Sequence, residues 1–365
     1  MKKFIVLLLI FSNASYPAVS LNQHGLGDML ILPYYTVNNE LNTLVSITNT
    51  SSVASKAVKI IFKEGQTGYS VGGMNVYLAP NDMWTFAMNK SGEETLIISN
   101  DLSCAPNFTG SMQLSAETNE IAPDSSDVNL FEGHIEIYEM GSFDPSIGFG
   151  NDITFTDGLP NDCAQISSNW QTGGEWQDND PYTELQPPTG ALSASVNLID
   201  VSNGINYSYD ATAIASFFTE NNLVHSAPAD IQQPALNDAS NISMVMYQGE
   251  PMVTTWPTGF EAISAILIKN QLTTEYSNEL SINGQTEVIL SFPTKYYHLQ
   301  NDERIEPFVG SGGFGSYEGC ELFQNQIYDR DSAIAYFVPG GVSPRPPFLC
   351  GTTSVIKIQG SGSIY

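Results

Sequence analysis

Apolar and polar side chains alternate in short runs along most of this chain, and turn-forming residues cut the runs off. In "LVSITN", 44–49, Leu44, Ser46 and Thr48 fall on one side and Val45 and Ile47 on the other. In "GHIEIYEM", 133–140, Ile135 and Ile137 oppose His134, Glu136 and Tyr138. A period of two places alternate side chains on opposite faces of a pleated strand, so each run reads as a half-buried β-strand. "KAVKIIFKE", 56–64, follows 44–49 after a Thr-Ser-Ser turn and suggests a hairpin with it. "MNVYLAPNDMWTFAM", 74–88, supplies two strands split at Pro80-Asn81-Asp82, where proline cannot donate to a ladder and Asn and Asp accept turn geometry.

The fold class that follows is all-β: two immunoglobulin-like β-sandwich lobes, with one short helix in the second. The expected organisation is a signal peptide over 1–20, an N-terminal β-sandwich domain over 21–145, a loop or linker rich in Asp, Asn, Gly and Pro over 146–190, and a C-terminal β-rich domain over 191–365. The second half opens with "ALSASVNLIDVSNGINYSY", 191–209, read as strand, Asn-Gly turn and strand. "DATAIASFF", 210–218, is read as the helix, with Asp210 as its N-cap. "ISMVMYQ", "AISAILIK", "TEVILSF" and "TSVIKIQ" are read as further strands.

Export is expected from the N-terminus: Met1-Lys2-Lys3, an apolar stretch from Phe4 to Phe11, and small residues ending in Ala18-Val19-Ser20. That stretch is too short to span a bilayer, and no later one is longer, so no transmembrane segment is expected. The localisation that follows is secreted or cell-surface, in a bacterium. An even count of four cysteines in an exported chain predicts disulfides among Cys104, Cys163, Cys320 and Cys350. Three pairings are open; the sequential one, 104 with 163 and 320 with 350, is preferred because it keeps each bridge within one half.

Thirty-nine acidic residues stand against twelve basic ones, and no Lys or Arg occurs from Ser91 to Ile268. Such a surface repels phosphate backbones and anionic lipid, so neither nucleic acid nor an anionic membrane is an expected partner.

The chemistry-bearing motifs are few. There is no G-x-S-x-G elbow, and His24, His134, His225 and His298 are scattered; His134 is read as an exposed strand residue. The stretch "WQTGGEWQDNDPYTE", 170–184, is read as a solvated loop whose tryptophans tuck onto the domain. The alternative is a ligand loop, with Trp170, Trp176 and Tyr182 for stacking on a sugar and Asp178, Asp180 and Glu184 as oxygen ligands for calcium, the one candidate cofactor. "GSGGFGSYEG", 310–319, lacks the Lys-Ser/Thr of a phosphate loop and is read as a connection. "FPTKYYHL", 292–299, places Lys295 at a strand exit, where it is expected to act as a structural pin. "YDRD", 328–331, places Arg330 between Asp329 and Asp331 and is read as a local charge-paired turn, with Asp329 or Asp331 meeting Lys295 as the alternative.

"ILPYYTVNNELNTLVSITNT", "KAVKIIFKEG", "VYLAPNDMWT", "FPTK" and "IYDRD" resemble stretches of an uncharacterised family of exported proteobacterial proteins described as hypothetical or cell-surface. The resemblance spans most of the mature length and implies export and surface association; it implies no catalytic residues. The expected function is therefore non-enzymatic, a structural or adhesive component of the cell surface or matrix acting through β-rich interfaces, with other surface components or itself as partner. The alternatives are a carbohydrate-binding or glycan-active protein using 170–184, and a strand-exchange subunit of an extracellular filament or layer.

Overall fold

The structure, a computed structural model, describes residues 18–115, 128–219, 222–269, 271–277, 286–299, 306–308, 319–323, 327–328, 334–335, 348–359 and 363–364. The alternating runs of the first half become β1 (Ser20–Leu21), β2 (Met29–Thr36), β3 (Asn42–Asn49), β4 (Ser55–Glu64), β5 (Ser70–Leu78), β6 (Met83–Ser91), β7 (Glu94–Ile98), β8 (Ser111–Gln113) and β9 (Glu132–Phe143). A ribbon of β10 (Phe155–Thr156) and β11 (Leu159–Pro160) follows, then β12 (Leu192–Asp200), β13 (Ile205–Asp210) and β14 (Thr212–Ala215).

These strands make two six-stranded sheets, ordered β1-β14-β2-β9-β4-β5 and β13-β12-β3-β6-β7-β8. Val45, Ile47, Trp84, Phe86 and Val196 from the second sheet meet Leu30, Val58, Ile60, Phe62 and Ile137 from the first in one apolar core. The all-β sandwich expected from the alternation is the architecture found. Pro33 sits where the β2–β9 register shifts, between Leu32 and Tyr35, so its missing N–H falls at a bulge.

Several local expectations change. β3 and β4 are no hairpin: β3 pairs with β6 and β12, whereas β4 pairs with β5 and β9 in the opposite sheet. Strands β12 and β14, beyond the expected boundary at 190/191, pair with β3 and β2 and so complete the two sheets of one sandwich. Among the described residues the later strands form ribbons and a three-stranded sheet rather than a second sandwich. Residues 210–218 are not helical: Thr212–Ala215 is β14, held between β1 and β2. A nine-residue helix lies instead at α3 (Gly259–Leu267), overlapping "AISAILIK", 262–269, the run expected as a strand, and Thr258 and Glu261 close a reciprocal capping box at its start.

The segment 146–190 is a packed layer rather than a linker. It carries α1 (Gly148–Ile153), α2 (Cys163–Ser168) and a π-turn (Glu175–Asn179). Its Ile153, Ile166, Trp170 and Trp176 pack on Ala57, Tyr77, Met140 and Phe143 of the first sheet's outer face. A second outer cluster joins Met29, Ile31, Ile61 and Tyr138 to Phe217, Leu236 and Ile263. Both faces of the first sheet are thereby covered, and every residue of β4 is buried.

The remaining strands are β15 (Ile242–Tyr247), β16 (Glu250–Thr255), β17 (Thr286–Ser291), β18 (Cys320–Leu322), β19 (Ile327–Tyr328), β20 (Ile334–Ala335), β21 (Phe348–Cys350), β22 (Thr353–Gln359) and β23 (Ser363–Ile364), with α4 (Lys295–His298) between β17 and β18. They form ribbons and a three-stranded sheet, β17-β22-β23. The cysteines bond sequentially, Cys104 to Cys163 and Cys320 to Cys350. Among the described residues no helix is long and apolar enough to cross a membrane.

Candidate functional site

Trp170 and Trp176 come together, but inside the protein: they are 8% and 2% exposed. Trp176 stacks on Tyr77, 5.4 Å between centroids, and both indoles meet the edge of His225. Trp170 Nε1 donates to the Tyr77 hydroxyl (2.7 Å), which bonds His225 Nε2 (3.0 Å), while His225 Nδ1 donates to the Pro181 carbonyl. Burial lowers His225 to about 4, so the imidazole is neutral and the chain of donors closes without charge. These rings present no face to a sugar. Tyr182 is 44% exposed, but its hydroxyl donates to Leu223 O at 2.8 Å.

The three carboxylates expected to hold calcium are not brought together as a ligand set. Asp178 accepts from Gly173 N and Asp180 from Tyr182 N (2.9 Å), each closing its own turn, while Glu184 accepts from Phe149 N (2.7 Å) in the first turn of α1. Among the described residues no group of three or more His, Cys, Asp or Glu side chains is placed to hold a metal ion. The same layer borders an open cleft of about 670 Å³ lined by Phe149, Gln165, Asn169, Gln171, Glu175 and Thr183. The Glu175 carboxylate in it already accepts from Thr183 Oγ1 (2.7 Å) and Asn179 Nδ2 (3.0 Å).

Lys295 is 1% exposed, and its Nζ donates to Gly351 O at 2.8 Å, tying α4 to the turn beside the Cys320–Cys350 bridge. Burial lowers its amine to about 8 against the pull of Glu321. Asp329, Arg330 and Asp331 lie outside the described residues, as do the first seventeen residues and nearly all of 310–319. His298 Nε2 lies 2.7 Å from Ser264 Oγ of α3, with both residues buried, so the contact joins two helices rather than presenting a nucleophile.

The titratable groups that sequence reasoning missed form a buried row on and beside β4 and β9. Lys56 Nζ meets Glu139 Oε1 at 2.5 Å with both side chains fully buried, and Glu139 also accepts from Thr189 N and Gly190 N. Beside this pair, burial pushes Asp28 up to about 7. Among the described residues Lys59 hydrogen-bonds only the Ala227 and Pro228 carbonyls, at 2.7 and 3.5 Å, and burial lowers it to about 7 against the pull of Asp230. Lys63 bonds Ser70 Oγ at 2.9 Å and lies 3.9 Å from Glu136, which also faces His134 at 3.4 Å. Burial alone would raise Glu136, but Lys63, His134 and the Tyr138 hydroxyl together hold it below its ordinary value. His134, expected on a solvated face, is 1% exposed because the outer layers cover that face. The legible signal was charge of opposite sign on strands that prove to be neighbours: Lys56, Lys59 and Lys63 on one, Glu136 and Glu139 on the other.

The most exposed apolar structure is the β15–β16 ribbon. Gln248 (φ 52) and Gly249 (φ 86) form a two-residue turn of the kind whose twist suits a hairpin. Ser243 Oγ accepts from Trp256 Nε1 (2.8 Å), and Val19 bridges Ile242 and Met244, so the base is anchored. Beyond that base the arm projects with Met246 61%, Tyr247 59%, Met252 53% and Val253 60% exposed. The register puts Val245 beside Met252 on one face and Met244 beside Val253 on the other. Both faces of the ribbon are thus apolar, and Glu250 is its one charged residue.

Comparison with protein-family models, with curated proteins and with solved structures finds no match to this chain.

Proposed function

We propose that this chain is an exported, non-enzymatic cell-surface or extracellular protein that works by adhesion through β-structured interfaces. The observation that carries the reading is the projecting β15–β16 arm. An isolated two-stranded ribbon is marginal in water, and one with apolar side chains on both faces gains most by docking. Beyond Met244 no ladder partner is described along the outer edge of β15, which leaves main-chain groups for an added strand. The partner that fits is an extended, weakly charged segment of another surface or matrix component. The two disulfides suit an oxidising compartment. The titratable groups with shifted pKa values support the same reading, because Asp28, Lys59 and His225 are all buried under the outer layers.

The test is rebinding. Labelled protein is added to producing cells whose own copy has been deleted, alongside a Met246→Glu/Met252→Glu double variant of unchanged circular dichroism. The wild type should decorate the cells and the double variant should not. Equal decoration by both, or none by the wild type, overturns the proposal.

A further inference from the structure

The outer face of the second sheet has a composition unlike the rest of the molecule. On β3, β6 and β12 the inward positions are Val45, Ile47, Trp84, Phe86, Val196 and Leu198. Alternation turns Ser46, Thr48, Thr85, Ser193, Ser195 and Asn197 outward. The ladder registers align Asn197, Leu44, Ala87 and Ile98 into one row across four strands, with Ser195, Ser46 and Thr85 in the next. No outward position of β3 or β12, nor of β6 from Met83 to Asn89, carries a charge, in a chain with thirty-nine acidic residues. Glu94 and Asp210 mark the margins of the face. The hydroxyls of Ser46, Ser193 and Ser195 make no hydrogen bond among the described residues.

We infer that this face is a self-association interface, on which a second copy of the chain packs sheet against sheet. Three considerations select that occupant. The central strands, uncharged at their outward positions, and the flanking β13, β7 and β8 are six strands about 4.8 Å apart and about seven residues long. They make a face of about 550 Å² with Glu94 and Asp210 near its edges, so two copies bury about 1,100 Å², just above the level of a specific interface. Small side chains let two sheets approach to about 10 Å, and a two-fold contact sets the hydroxyl and amide rows of one copy against those of the other. A cationic partner finds no carboxylate at the outward positions of the central strands β3, β6 and β12, only Glu94 and Asp210 at the margins among the described strands, whereas two copies of an acidic chain meet with least repulsion where those central positions carry no charge. This surface lies on a different sheet system from the β15–β16 arm and does not depend on it.

The like-charged surroundings give the interface a signature. Screening removes repulsion between the acidic remainders of the two copies, so association should tighten at least tenfold between about 50 and about 500 mM salt. A contact held by ion pairs would weaken over that range.

Sedimentation velocity on the full chain with its disulfides intact, up to about 200 µM, tests this at a level set for a micromolar dissociation constant. A dimer that tightens with salt is expected. Ser46→Glu/Ser195→Glu protein, folded by circular dichroism, should be at least tenfold weaker. Mixing Ser195→Lys with Ser195→Glu protein should restore association, and Met246→Glu/Met252→Glu should leave it intact. A monomer at every concentration and salt overturns the inference. So does a dimer that the face variants leave unchanged, or one that only the arm variant breaks.

Discussion

Lys59→Met keeps the length of the aliphatic stem and removes the amine from a site with no carboxylate bonded to it. The folded amine sits near 7, and the ordinary value is 10.5. Between those two pH values the unfolded chain holds a proton on this side chain that the folded chain does not. Wild-type stability therefore rises with pH across the window, by up to about 1.4 kcal/mol per unit. At pH 7 the buried lysine costs the wild type about 4–5 kcal/mol relative to a group that never ionises. The variant escapes that term but leaves the Ala227 carbonyl, bonded at 2.7 Å in the wild type, without its donor. An unmet buried acceptor costs about 1–3 kcal/mol. The balance makes Lys59→Met more stable than wild type by about 2 kcal/mol at pH 7, and less stable by about 1 kcal/mol near pH 10, where the lysine term has almost gone. Urea unfolding followed by tryptophan fluorescence between pH 6 and about 10, with disulfides intact, reads the difference. Taking the variant against the wild type cancels the tyrosines and Lys295, which titrate in both. A stability difference that stays constant across the series would refute the argument, because it would mean that Lys59 is charged or neutral alike in both states.

Lys56→Met should behave in the opposite way, losing about 3–5 kcal/mol at pH 7, because it leaves Glu139 buried without its cation; the same urea series measures it. Replacing Cys104 and Cys163 together with serine opens a loop of 59 residues and should lower the unfolding free energy by about 4 kcal/mol on the chain-entropy estimate. His225 sits near 4 when folded and near 6.5 when free, so the unfolded chain alone takes up its proton in that window and stability is lost as pH falls. In His225→Phe, the part of the loss between pH 6.5 and 4 that belongs to this residue should disappear, as thermal unfolding at stepped pH would record.

Strand positions were legible because alternation is a local property; strand partners were not, because pairing is decided across the molecule. "LVSITN" and "KAVKIIFKE" sit close enough for a hairpin, yet each finds more apolar burial in a separate sheet. Residues 210–218 carry a plausible N-cap and small helix-compatible residues, but Thr212–Ala215 fills the gap between β1 and β2, and the ladder overrides propensity. The helix at 259–267 did leave a readable mark, the Thr258-x-x-Glu261 capping box, which its β-branched residues obscured. That the tryptophans of 170–184 tuck onto the domain was legible from their bulk, but their partners, Tyr77 and His225, were not, since they lie on remote segments. His134 looked solvated for a related reason: alternation identifies two faces of a strand but not whether a further layer covers the second.

That hidden layer changes what composition says about the surface. Four of the seven lysines in the described residues, Lys56, Lys59, Lys63 and Lys295, are buried. Each takes a positive charge away from the exterior, so the exposed surface is more uniformly acidic than the balance of thirty-nine to twelve implies. A body of this kind repels others like itself over roughly a Debye length, about 8–10 Å in physiological salt. Contact must then occur where the field is weakest or where an element reaches beyond it. The uncharged face of β3, β6 and β12 meets the first condition, and the β15–β16 arm, with Glu250 as its one charge, meets the second. Both kinds of contact should therefore strengthen as salt is added. A partner that instead bound this chain through its carboxylates would be released by the same salt, so the sign of the salt dependence separates the two modes of association before any partner is identified.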